Sequence, residues 1–198
     1  MGQTLWQHWV QKEAKKEEVE KDAIYNELGI KPGQILSFDI LDYRGKDYKV
    51  KTVEECCRKI NGVYFKATNY ILTEEANDPA LEVRVWDMKC WLFQLYDEFA
   101  FNEQFWDVVN DAMRSSFNLD EESAVFTPVG NSTTPALLSL TNNLHEKSMI
   151  KRWQFERTAK DEAGQDYLEL LYVEQDDETG WFSIWRGTEV PMDRILII

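Results

Sequence analysis

Between Gly29 and Phe99 the chain alternates residue character with a period of two and breaks the alternation with turn chemistry at short intervals. Period two places successive side chains on opposite faces of a strand, so the stretch can hardly be anything but an antiparallel β meander. Leu36, Phe38 and Ile40 alternate with Ser37, Asp39 and Leu41. Tyr43-Arg44-Gly45-Lys46 and Asn61-Gly62 supply residues that accept the positive φ of a hairpin turn. Asn77-Asp78-Pro79 breaks the chain before Leu81, Val83 and Val85. Strands are predicted near Gln34–Ile40, Asp47–Val53, Val63–Leu72, Leu81–Trp86 and Cys90–Tyr96.

The second half repeats the pattern less clearly. Strands are predicted near Met149–Thr158, Asp166–Glu174, Trp181–Trp185 and Arg194–Ile197, with a further short one at Ser123–Thr127. Asn102 can cap a helix that runs to about Arg114, with Glu103 in its first turn. Thr134-Pro135 reads as the cap and first position of a short helix through Leu140. Residues 3–28 read as a helix that stops at Gly29, with Leu5, Trp6, Trp9 and Val10 on one apolar face and Val19, Ile24 and Leu28 on a second.

The fold class expected is therefore α+β: antiparallel β meanders, either a duplicated β unit or a partly open barrel, with an N-terminal helix and one or two short helices between the β halves. The domain division expected is a helical extension over residues 1–28 and one β-rich domain over 29–198. Repeats over 29–117 and 118–198 are suggested by Cys90-Trp91-Leu92-Phe93 and Gly180-Trp181-Phe182-Ser183, each following two longer strands. Trp91, Trp153 and Trp181 are expected inside.

Composition then narrows the function classes. The net charge of −14 repels phosphate, which argues against nucleic acid as a partner and against anionic lipid as a whole. Three cysteines, two of them adjacent as Cys56-Cys57, make a poor disulfide framework. With no apolar leader segment at the start, a cytoplasmic location with free thiols is expected. The two histidines, His8 and His145, are far apart and no CxxC pair exists, so no metal site is expected. No glycine-rich phosphate loop is present and no cofactor is expected. Cys56-Cys57 precedes Arg58-Lys59, whose charges would lower a thiol pKa. Asp97 and Glu98 read as a charged strand edge.

The Gly29–Val50 opening, the repeated Trp strands and the acidic Tyr96-Asp97-Glu98-Phe99 ending resemble uncharacterised β-rich bacterial proteins. Some of those are encoded beside phage-shock-type membrane-maintenance proteins. The resemblance covers about residues 29–100 and 150–190 and contains no catalytic motif, so it assigns no functional residue. It implies a bacterial cytoplasmic protein with a role at a membrane-associated assembly.

Two functions remain open on the sequence. One is a non-catalytic interaction protein that docks a protein partner or a second copy through Leu5, Trp6, Trp9 and Val10, with membrane contact only through that helix or a partner. The other is a small-ligand-binding β protein, or an enzyme, with a pocket between the two β halves. A deep concavity lined by converging polar groups would favour the second.

Overall fold

The computed structural model describes residues 24–198 apart from 41–42, 45, 74–79, 120–123, 131–132 and 162. The predicted face of Leu5, Trp6, Trp9 and Val10 lies outside the described residues, as does His8. Twelve strands are described: β1 (Ile35–Phe38), β2 (Asp47–Ile60), β3 (Val63–Leu72), β4 (Leu81–Trp86), β5 (Lys89–Phe99), β6 (Phe117–Leu119), β7 (Ala124–Pro128), β8 (Ala136–Asn142), β9 (Lys147–Lys160), β10 (Asp166–Asp176), β11 (Phe182–Val190) and β12 (Ile195–Ile197). One α-helix, α1 (Glu103–Ala112), stands between β5 and β6.

Eight of the strands close into an antiparallel barrel in the order β2-β3-β4-β5-β11-β10-β9-β8, with β8 pairing back onto β2. Among the described residues 61% are strand and 9% helical, which corrects the α+β expectation: the described structure is mostly β and its barrel is closed. The decisive misreading is Thr134–Leu140. Its Leu137, Leu138 and Leu140 belong to β8, the strand that seals the barrel between β2 and β9. A short apolar run cannot be assigned to helix or strand by periodicity alone, and Thr-Pro mimicked a helix start.

The N-terminal helix is the second correction. Ile24–Leu28, the described end of that stretch, is an irregular strap. Its backbone donors go to side chains on the barrel wall. Tyr25 N–H donates to Glu55 at 2.6 Å, Glu27 N–H to Thr68 Oγ1 at 3.0 Å and Leu28 N–H to the Tyr70 hydroxyl at 3.0 Å. Those bonds satisfy the donors that a helix would have used internally. Gly29 follows at φ 67°, a conformation that disfavours side chains, and Ile30 plunges into the core.

Strap, β1 and β12 cover one outer face of the barrel, where Leu36, Phe38, Tyr48, Tyr70, Val83 and Leu92 are buried. Helix α1 and the β6–β7 hairpin cover another, over Trp153, Phe155, Leu171, Val173 and Phe182. Asn102 caps α1 as expected, accepting from Phe105 N–H at 3.0 Å. Trp153 and Trp91 are buried as expected, but Trp181 is 48% exposed because it precedes β11 instead of starting it. Asp97 and Glu98 are not an edge, since both pair with β11. The meanders β3-β4-β5 and β9-β10-β11 do share the barrel and meet at the β5–β11 pair.

Inside, one glycine sets a local fit. Gly187 pairs with Phe93, and a Cβ there would lie 2.5 Å from the Phe93 ring, which is itself stacked on Tyr172 at 4.7 Å. Gly187→Ala should therefore cost about 1–3 kcal/mol by overpacking, read as a lower urea midpoint with unchanged slope. A change within about 0.5 kcal/mol would show that the ring can yield and that Gly187 does not fix the Phe93 position.

Candidate functional site: a charged barrel interior opening on a wide mouth

Alternation decides which side chains enter the barrel. On β4, Leu81, Val83 and Val85 face outward under the strap, so Glu82, Arg84 and Trp86 face inward. On β2 a register shift between Val50 and Thr52 reverses the parity. Tyr48 and Val50 thus join the outer core, whereas Glu54, Cys56 and Arg58 turn inward.

Arg84 is the centre of the interior. Its Nε donates to Glu82 at 2.8 Å, and Nη1 and Nη2 donate to Glu174 of β10 at 2.7 and 3.4 Å. The guanidinium also lies 4.6 Å from the ring centre of Phe93, 5.1 Å from Trp185 and 5.5 Å from Tyr172. Arg152 of β9 reaches the same carboxylate, donating from Nε to Glu174 Oε1 at 2.6 Å and lying 4.6 Å from the Tyr172 ring centre. Each nitrogen of Arg84 thus has a partner, but Arg152 Nη2 is buried and finds no acceptor among the described residues. Such a donor costs roughly 1–3 kcal/mol when left unpaired.

The carboxyls respond differently to this setting. Burial alone would raise Glu174, but Arg152 and Arg84 outweigh it and hold the group below its ordinary value. Burial pushes Glu82 up in spite of Arg84 beside it. Burial, with repulsion from Glu82, pushes Glu54 up to about 7.

Above this lattice the barrel opens. A cavity of about 1080 Å³ reaches from Cys56, Ala67, Leu138, Arg152, Gln154 and Tyr172 inside to Arg58, Tyr64, Phe65, Lys66, Trp86 and Met88 at the rim. The strap closes one side with Tyr25, Asn26 and Glu27, and Glu27 accepts Met88 N–H at 2.7 Å. The β2–β3 ribbon extends past its neighbours, because β8 pairs only with 54–57 and β4 only with 68–71. Ile60, Val63, Tyr64 and Phe65 are exposed on that ribbon. Its Asn61-Gly62 turn has φ of 50° and 83°, the hairpin geometry the sequence predicts. At the far end of the barrel a smaller cavity of about 350 Å³ is lined by Glu98, Ile150, Glu174, Asp176 and Trp181, among others.

The structure does not assemble a cysteine–histidine site from the described residues. Cys56 faces the cavity, Cys90 packs in the outer core and His145 lies in the β8–β9 turn, at the opposite end of β8 from the cavity-lining Ala136. The expected lowering of the thiol pKa by Arg58 and Lys59 is reversed. Burial pushes Cys56 up, and burial together with Glu55 pushes Cys57 up. All three thiols are free. Among the described residues no group of three or more His, Cys, Asp or Glu side chains could hold a metal, and no helix is long and apolar enough to cross a membrane. Sequence reading missed Glu54, Glu82, Arg84, Arg152 and Glu174. The available signal was Glu82-Val83-Arg84, two opposite charges on one face of an otherwise apolar strand.

Glu54 gives the interior a pH signature. Its folded value near 7 exceeds the ordinary value of 4.5, so the folded state holds the proton more tightly than the unfolded one. Stability contributed by this group is present at low pH and lost as pH rises from about 4.5 to 7. Glu174, shifted the other way, gives a loss only on the acid side of its ordinary value. Glu54→Gln should therefore flatten the decline between about pH 5 and 8, stabilising the protein at pH 8 by up to about 3 kcal/mol, in urea titrations across that range. An unchanged pH slope would place the titration elsewhere. Removing the central cation has the opposite sign at all pH values near neutrality: Arg84→Leu should cost about 3–5 kcal/mol by stranding Glu174 and Glu82.

Comparison of the chain with protein-family models, with curated proteins and with solved structures found no match.

Proposed function

We propose that this protein is a non-catalytic small-ligand-binding barrel whose ligand enters the mouth beside the β2–β3 ribbon. The observation that carries the reading is the cavity of about 1080 Å³ with an apolar and aromatic wall and a few converging polar groups at its floor. A barrel of eight strands is wide enough to fill with side chains or to hold one small ligand. Here the middle is filled by Arg84, Phe93, Tyr172 and Trp185, and the end beside the β2–β3 ribbon is left open. Small side chains, Ala67 and Ala136, line the open half where larger ones would close it. A bacterial cytoplasmic setting, in which Cys56, Cys57 and Cys90 stay reduced, fits this reading.

The test is titration with Nile red, a neutral fluorophore that brightens in apolar surroundings. The expected result is saturable binding that Ala136→Trp weakens by at least about tenfold, or about 1.4 kcal/mol, by filling the cavity. Leu144→Ser, at an exposed site at the far end, should leave binding unchanged. Equal binding by the Ala136→Trp protein, with the same thermal melt as the parent, would remove the cavity as the ligand site.

A further inference from the structure

We infer that the ligand of the mouth cavity is a flat aromatic or conjugated anion, its acid group held by Arg152 and Arg58 and its ring system lying against Trp86. The inference rests on the small-ligand reading above and specifies the chemistry of that same site.

Three observations support the anion. Arg152 carries a buried Nη2 with no acceptor among the described residues, while its Nε is committed to Glu174. Nη2 is closed to solvent but its side chain lines the cavity, so a turn of the guanidinium toward a carboxylate or sulfonate at the floor would give that donor the acceptor it lacks, in the planar two-pronged geometry that suits a guanidinium. Arg58 faces the same cavity and makes no ion pair among the described residues. By register the two arginines are close. Cys57 pairs with Ser139 and Arg152 with Ala136, so the narrow strand β8 alone separates their strands, about 10 Å across the sheet, with an offset of about two residues, or about 7 Å, along it. Long arginine side chains close that span easily. Finally, the interior lattice does not share the chain's net charge of −14, because two arginines stand among its carboxyls. Two arginines face Glu174, whose charge is held on, and Glu82 and Glu54, which burial drives toward the neutral form. The acid groups at the rim, Glu27 and Asp87, lie on the strap side and the β4–β5 turn, away from Arg152 on β9.

The flat shape follows from the wall. An alkyl chain is best matched by a sleeve of branched aliphatic side chains, and this cavity offers few: Leu138 and Met88, with two alanines. Its large surfaces are rings. Trp86 lines the cavity and stacks face to face on Trp91 at 5.3 Å and 3°, which fixes its plane. Phe65 and Tyr172 supply two more rings on β3 and β10. Rings fixed in plane favour an offset-stacked aromatic guest over a flexible chain. The guanidinium of Arg152, already over Tyr172, extends the same flat surface to the acid group.

The test compares three probes on the full chain, followed by quenching of tryptophan fluorescence and by calorimetry: pyrenecarboxylate, pyrenemethanol and dodecanoate. The inference expects pyrenecarboxylate to bind at least about tenfold more tightly than either of the others. Arg58→Ser should weaken pyrenecarboxylate by about tenfold and leave pyrenemethanol unchanged, and Arg152→Lys should do the same if its fold, checked by circular dichroism, is intact. Trp86→Leu should weaken both pyrene probes. Dodecanoate binding as tightly as pyrenecarboxylate overturns the flat ring, and pyrenemethanol binding as tightly overturns the anion. Both of those results leave a ligand-binding barrel standing. Failure of all three probes, together with failure of Nile red, removes the ligand-binding reading itself.

Discussion

The buried guanidinium of Arg84 is the constraint on which the rest of the barrel depends. It is 2% exposed, and a charge at that depth is tolerable only with partners for every donor. Those partners come from two places: Glu82 from the same strand, and Glu174 from β10 on the other side of the barrel. Glu174 can be there only if β5, β11 and β10 follow β4 around the wall in the observed register. It can stay dry on that side only if β8 seals β9 to β2. Exchange of the whole lattice for well-fitted apolar side chains need not cost stability, whereas loss of one partner strands the others. The lattice thus fixes register more than it adds to stability, and a strand slipped by one residue would aim Arg84 into the apolar layer under the strap.

That apolar layer explains why the interior can be polar at all. In a small water-soluble barrel the core is usually the inside. Here much of the apolar burial is outside the barrel wall, under the strap, β1 and β12 on one side and α1 with the β6–β7 hairpin on the other. Strands β4 and β10 are consequently buried on both faces, and every residue from Leu81 to Val85 and from Glu169 to Gln175 is buried. With stability supplied by the outer layers, the interior is free to keep an open mouth and an ion lattice that a simple core could not hold.

This inversion also marks where the sequence was legible. Strands β3 and β4 were predicted to the residue, and Asn102 as the cap of α1, because local rules decide them: alternation bounded by Asn-Gly, and an acceptor side chain before a helix. Alternation on Leu81–Trp86 separates two faces but does not say which one is enclosed. The usual assumption, apolar in and polar out, would have turned Arg84 to solvent. The register shift after Val50 is equally silent in the sequence, yet it decides that Cys56 and Arg58 reach the cavity and Cys57 does not. The strap failed for a related reason. Ile24 and Leu28 do pack on the barrel, as an apolar stripe would suggest, but Thr68, Tyr70 and Glu55 capture the backbone donors between them.

Net charge misleads in the same way when it is carried from the whole chain to one site. A value of −14 bears on partners such as a phosphate backbone, which would meet the outer surface over many charges at once. It does not describe a pocket. Exposed carboxylates more than about 8 Å away are screened at physiological salt, while a group inside the barrel feels its neighbours through a medium of low polarity. At the floor of the mouth those neighbours are Arg152 and, beyond it, Arg84, with Glu174 shared between them. Glu82 also accepts from Arg84, and burial raises both Glu82 and Glu54 above their ordinary values. The local field at the cavity floor is therefore set by these few neighbours, arginines among them, and not by the net charge of the chain.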